Sequence, residues 1–455
     1  MATDTAVACQ QGPCHTFHDR GRNAREASEL RRIIQLMLLT LALVCLAPAA
    51  IGRLAESRQQ FLVDSLAHSV AGADLITEQY ETGWITSRSI HRLRLDDPAY
   101  INAARELTGI PNLDESPELV IRSRIAHGPW PLLQGRPGLA RVHSEVTFVV
   151  GQDEISIPGV AITDIGLDGS GVTVFDSPGM ETTVESGSAF IRWHATDLRI
   201  SFDRQVRNLD SLGTIGELEF LGSHGEIRFG PIRVDGRSAY TTHGFWSGES
   251  RLNVARFSTT GIDGASFLAE GIELDLAVLP DGDLVNHRYE VTLDRFSSPR
   301  VDAGQLQLAG TIENLDAAAL GRLLAERTGG RWSSDRQSWT GVFSAASRFH
   351  LREFLVEADG ERARLEFECH LRDAIGAETD PGELLRALQG QGTILLSEGL
   401  LPMLIGNGND PAAVESLLAI GYLRRVEGGL LAELRLGGGL LTINGLPIPL
   451  PMPAD

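Results

Sequence analysis

Between Leu198 and Leu308 the chain alternates apolar and polar residues with a period of two. Leu198, Ile200 and Phe202 are separated by Arg199 and Ser201, Leu218 and Phe220 by Glu219, Ile227 and Phe229 by Arg228, and Ile232 and Val234 by Arg233. The pattern continues through Leu252 and Val254, Ile272 to Val278, Tyr289 to Leu293, and Leu306 with Leu308. Alternation puts the apolar side chains on one face of a strand and the charged ones on the other. Turn signals punctuate these runs: Asp168-Gly169, Pro178-Gly179, Gly222-Ser223, Asp235-Gly236, Asp263-Gly264 and Asp281-Gly282. Asp-Gly supplies the positive φ that tight hairpins demand. The pattern predicts a mainly β fold, a large antiparallel and strongly curved meander. Its oily face must be covered by a second sheet, by helices, by closure or by a bound molecule, so a taco-like or a barrel-like form is expected.

Helical spacing interrupts the strands near 315–327, 381–388 and 411–420. Asp316 stands at the first of these as a cap, and Pro381 and Pro411 stand in the first turn of the others. Leu54, Phe61, Leu62, Leu66 and Val70 predict a short amphipathic helix ending near Gly72. At the other end, Leu430–Leu436 and Leu440–Ile443 read as a terminal strand pair with glycine turns.

One stretch has no period at all. Residues 33–52 carry no charge, and only Gln35 and Thr40 are plainly polar. At ~1.5 Å per residue they reach ~30 Å, enough to cross a bilayer. Five arginines precede this segment, so the positive-inside rule predicts a disordered cytoplasmic tail over 1–32, a transmembrane helix over 33–52 and a periplasmic β-rich domain over 53–455. A cleaved leader ending at Ala47-Pro48-Ala49 is the rival reading.

Composition narrows the chemistry. The formal charge is −20, which argues against a nucleic-acid partner. No lysine occurs, so Schiff-base, P-loop and kinase chemistry lack their key side chain. Cys369 is the sole cysteine after the apolar stretch, so an internal disulfide there is excluded. Cys9, Cys14, His15 and His18 fit no standard zinc spacing, and no metal or other cofactor is expected. Neither H-E-x-x-H nor G-x-S-x-G is present. His127-Gly128-Pro129-Trp130 is the most tempting cluster. Read functionally, His127 is a base or ligand and Trp130 a binding wall; read structurally, the segment is a turn.

Several segments together resemble the YdgA-like family of bacterial envelope proteins, which has no assigned activity. They are Tyr80–Ser87 with Trp84 at its centre, Ile125–Pro131, Gly138–Ser144, Asn314–Leu320, Gly421–Leu423 and Leu440–Gly445. Thr82 departs from the arginine usual in the first of them. The resemblance implies an inner-membrane anchor with a periplasmic body, and it carries no catalytic residues. Trp84, His127 and Trp130 are therefore the candidate ligand-binding residues. The expected function is binding or transfer of a membrane lipid or other amphiphile along the oily sheet face, rather than catalysis. The alternative is a structural module that meets an envelope protein partner.

Overall fold

A computed structural model describes residue 56 and residues 73–449 apart from 99–100, 103, 106–114, 128–137, 185–188, 223–224, 262–263, 300–301, 326–340, 359, 373–382, 384–385 and 402–410. The predicted span 33–52, the tail before it, the amphipathic helix after it and half of 381–388 lie outside the described residues. Among those described, no helix is long and apolar enough to cross a membrane.

Strands β1 (Ala73–Glu81), β2 (Thr86–Leu95), β3 (Glu118–His127), β4 (Ala140–Val150), β5 (Asp153–Ile165) and β6 (Gly171–Ser177) pair in chain order, all antiparallel. Strands β7 (Met180–Val184) and β8 (Ala189–Trp193) leave this row, and β9 (Thr196–Phe202) returns to it beside β6. The row continues with β10 (Asn208–Ile215), whereas β11 (Leu218–Gly222) and β12 (Gly225–Phe229) leave it again and join β8. From β13 (Ile232–Tyr240) the row passes into β14 (Trp246–Gly261) and β15 (Ser266–Asp281). It reaches β16 (Leu284–Leu293), while short β17 (Arg295–Ser297) and β18 (Asp302–Ala303) branch off. Then follow β19 (Gln305–Asp316), β20 (Phe343–Ala358), β21 (Glu361–Leu371) and β22 (Leu388–Leu396). The last strands are β23 (Arg424–Val426), β24 (Gly429–Gly437), β25 (Leu440–Ile443) and β26 (Leu446–Pro449).

The branch strands make a second layer, in the order β7, β8, β11, β12, the far half of β14, the near half of β15, β17, β18. One kink lets β14 and β15 serve both layers. Val254 faces Ile272 and Arg256 faces Glu270, so Ala255 and Gly271 are skipped. Before the kink β14 pairs with β13, and after it with β12. Gly271 has φ 61°, and a Cβ there would lie 2.0 Å from the Asp294 carboxylate, so only glycine fits. The sheet stays open, with β1 and β26 at its ends, so the barrel-like form is set aside. The chain is one open antiparallel sheet whose branch strands form a second layer.

The register bears out the one-faced reading. Leu198, Gly213, Val234, Leu252, Leu274, Val291, Leu308 and Phe354 stand opposite one another from strand to strand. One position along, the opposite face carries Arg233, Asn253, Glu273, Thr292 and Gln307 in the same way. Cross-strand ion pairs tie this outer face, including Arg251 to Asp275 at 2.6 Å and Arg92 to Glu118 at 2.7 Å. Each such exposed pair contributes under about 1 kcal/mol, so cohesion comes from the oily side.

One sequence reading needs correction. Asp235-Gly236 is not a turn but lies inside β13, where a Cβ on Gly236 would meet the Ser211 and Ser250 hydroxyls at 2.9 and 3.3 Å. Glycine there gives room to crowded neighbours across the sheet. Of the segment 381–388, the described Glu383, Arg386 and Ala387 are helical, and β22 starts at Leu388. The other two helices form: α1 (Ala317–Ala325), whose Ala319 N–H donates to the Asp316 carboxylate at 2.7 Å, and α2 (Pro411–Ile420). Asn314 just before α1 sits at φ 60° with its side-chain amide donating to the Ala346 carbonyl, which gives the Asn-Leu-Asp motif a structural reason.

Candidate functional site

Among the described residues, the second layer packs on the first at its two ends. At one, Val184, Ala189 and Ile191 of β7 and β8 pack with Val150 and Ile155 beside the β4–β5 turn. At the other, Ala303 of β18 joins Val356, Ala363, Leu396 and Leu430, with Phe296 against them. Both contacts use the oily face of the main row, so the second layer presents its own apolar face to it. A ladder of rings crosses that face: Phe229, Phe257, Phe267 and Phe296, with neighbouring centroids 4.9, 5.7 and 5.0 Å apart.

Between the two ends the packing loosens. Leu198, Ile200, Val234, Leu252, Leu274, Val291 and Leu308 on one layer remain only half-buried, as do Phe229, Phe257 and Phe267 on the other. Leu276, one step along the oily face, is 43% exposed. A closed sandwich would bury these side chains fully, because interiors pack to crystal density. These half-buried apolar faces are read as the walls of an apolar cleft whose two ends are packed.

The predicted site residues are not drawn into that cleft. Trp84 stands in the β1–β2 turn and is 64% exposed, beside Ile85 at 43%. Trp130 lies outside the described residues. His127 closes β3 and is fully buried on the oily face, its Nε2 3.0 Å from the Ser87 hydroxyl and its backbone N–H donating to the Ile85 carbonyl. Tyr80 also hydrogen-bonds Ser87. Next to this pair, His91 contacts Ser89 and Thr77 at 3.2 and 3.1 Å, and Ser123 meets Ser144 at 2.8 Å. Burial pushes the His91 imidazole down from its ordinary value and the Tyr80 phenol up. Ser87 and His127 are 1% and 0% exposed, so their contact suits a structural bond and offers a substrate no approach. Forty residues separate the partners in sequence, and no local spacing announces them.

One further cluster has the residue types of a metal site. His194, Glu217 and Glu219 bring ligand atoms within 4.8 Å of one another. The Glu219 carboxylate, however, already faces Arg192 at 2.6 Å and Arg228 at 3.8 Å. Two guanidinium groups at a would-be ligand oppose a cation, and the cluster reads as a cross-strand charge ladder.

Comparison with known proteins adds a family and no activity. No curated protein and no solved structure matches the chain. Residues 33–327 do match a family model, described as a bacterial protein of unknown function (DUF945). Since that match covers well over half of the chain, the protein belongs to this bacterial family of unknown function.

Proposed function

We propose that this chain is a YdgA-like envelope protein, anchored in the bacterial inner membrane by residues 33–52, whose periplasmic body holds a lipid-like molecule in the cleft between its two sheet layers. One observation carries the reading: large apolar side chains on both layers, among them Leu252, Leu274, Phe257 and Phe267, are only partly buried. An acyl chain would complete their burial. Each methylene removed from water is worth ~0.8 kcal/mol, so a chain of about sixteen carbons gains ~12 kcal/mol before entropic costs. The role is binding or carriage rather than catalysis, and the closed Ser87–His127 contact supports that.

The full chain, purified without denaturation and extracted with organic solvent, supplies the test by mass spectrometry. A stoichiometric amphiphile that is lost from Leu274→Arg supports the reading. Protein that is well folded and free of any amphiphile overturns it, and favours a module that meets another envelope protein.

A further inference from the structure

The polar face carries a second concavity, of about 780 Å3, at the β1–β4 end of the sheet. Its lining gathers Arg88, Arg122, Arg124, Arg141 and His143 against only two carboxylates, Glu81 and Glu145. Arg141 and Arg122 are met by Asp164 and Glu154 at 3.5 and 3.9 Å, so the local positive excess rests on Arg88 and Arg124. Elsewhere on this face an arginine stands opposite an acid, as Arg251 does opposite Asp275. Here Arg88 stands between Glu81 and Arg124, and Arg124 stands directly opposite both Arg88 and His143. Neither Arg88 nor Arg124 has an ion-pair partner among the described residues. Like charges placed opposite each other destabilise a sheet. The geometry therefore points to an anion that bridges them, and the planar guanidinium fork suits phosphate oxygens.

The position selects the source of that phosphate. Arg88 follows the β1–β2 turn, whose Trp84 and Ile85 are among the exposed large apolar residues. Thr82 in the same turn donates a hydrogen bond to the Glu56 carboxylate at 3.5 Å, which ties the turn to a point four residues beyond the apolar stretch 33–52. Exposed tryptophan beside arginine is the composition of a membrane–water boundary. We infer that Arg88 and Arg124 grip the phosphate of an anionic phospholipid headgroup while Trp84 and Ile85 enter the bilayer boundary. The lipid as source rests on the anchored reading above; the phosphate site itself does not, nor does it depend on the apolar cleft.

The full chain in neutral maltoside micelles allows the two to be separated, since no bilayer is needed. Short-chain phosphatidylglycerol, short-chain phosphatidylcholine and inorganic phosphate are titrated in turn, with tryptophan fluorescence as the readout. The expected order is phosphatidylglycerol tightest, and added salt weakens it. Arg88→Gln with Arg124→Gln should weaken phosphatidylglycerol binding by about tenfold or more, since bonds to charged groups are among the stronger ones. Arg251→Gln, on the same face, should leave it unchanged. The double variant should melt no lower than the parent, because the opposed charges are relieved. Unchanged phosphatidylglycerol binding in the double variant, or a fall in its melting point, overturns the arginine site. Inorganic phosphate binding as tightly as phosphatidylglycerol overturns the headgroup assignment alone. Membrane fractionation of the same chain reads the anchor separately.

Discussion

Helix α1 offers a substitution on which two physical effects disagree in sign. Gly321 is buried in its middle, and an alanine Cβ there would lie 1.9 Å from the backbone carbonyl oxygen of His243. Relief requires a shift of about 1 Å, since non-bonded carbon and oxygen rarely approach within ~3 Å. The carbonyl has little freedom to move. Its loop is held by the Thr241 N–H donating to Phe245 at 2.8 Å, and Phe245 is packed in one core cluster with Leu323 of α1. Helix propensity alone predicts that Gly321→Ala stabilises by ~1 kcal/mol. Overpacking costs ~1–3 kcal/mol, and a clash against backbone belongs at the top of that range. The net expectation is a loss of about 2 kcal/mol, read as a lower urea midpoint at constant slope. Ala318→Gly, at an exposed position of the same helix, isolates propensity and should cost about 1 kcal/mol. A Gly321→Ala protein as stable as the parent would refute the packing of α1 on the β13–β14 loop.

Two further predictions concern buried polar side chains. Ser87→Ala strands the His127 imidazole where water cannot reach it, and should cost about 1–3 kcal/mol by urea unfolding; a loss below about 0.5 kcal/mol would show that the contact does not matter. His91 and His287 both have their pKa pushed down by burial. Unfolded, they take up protons below the ordinary value of about 6.5, while folded they resist, so stability holds above that pH and falls as pH drops through the folded values. Urea midpoints measured from pH 8 to pH 5 should decline, and His91→Gln should flatten the decline; a midpoint that rises on acidification contradicts the assignment.

The alternation was legible because every side chain of a half-wet strand reports its own face. Period two names a face and never a partner: nothing in Leu218 and Phe220 says that β11 pairs with β8 rather than β10. The second layer was therefore invisible in sequence, as was the double use of β14 and β15. Asp235-Gly236 misled because the same dipeptide serves a hairpin at Asp281-Gly282 and a crowded strand interior in β13. The helix at Asp316 was readable because a cap is local, whereas Ser87 and His127 are joined only by register. For the same reason the arginines at 88 and 124 look like ordinary surface charges until the pairing of β2 with β3 sets them face to face.

If one face of this sheet holds an acyl chain and the other does not, two neighbouring residues decide it. A photoreactive amino acid placed at Leu274 faces the cleft, and at Asp275 it faces the ion-paired outer surface beside Arg251. Irradiation in living cells, followed by purification and mass analysis, should attach lipid at position 274 and none at 275. Equal labelling at both positions, or none at 274, would contradict the account.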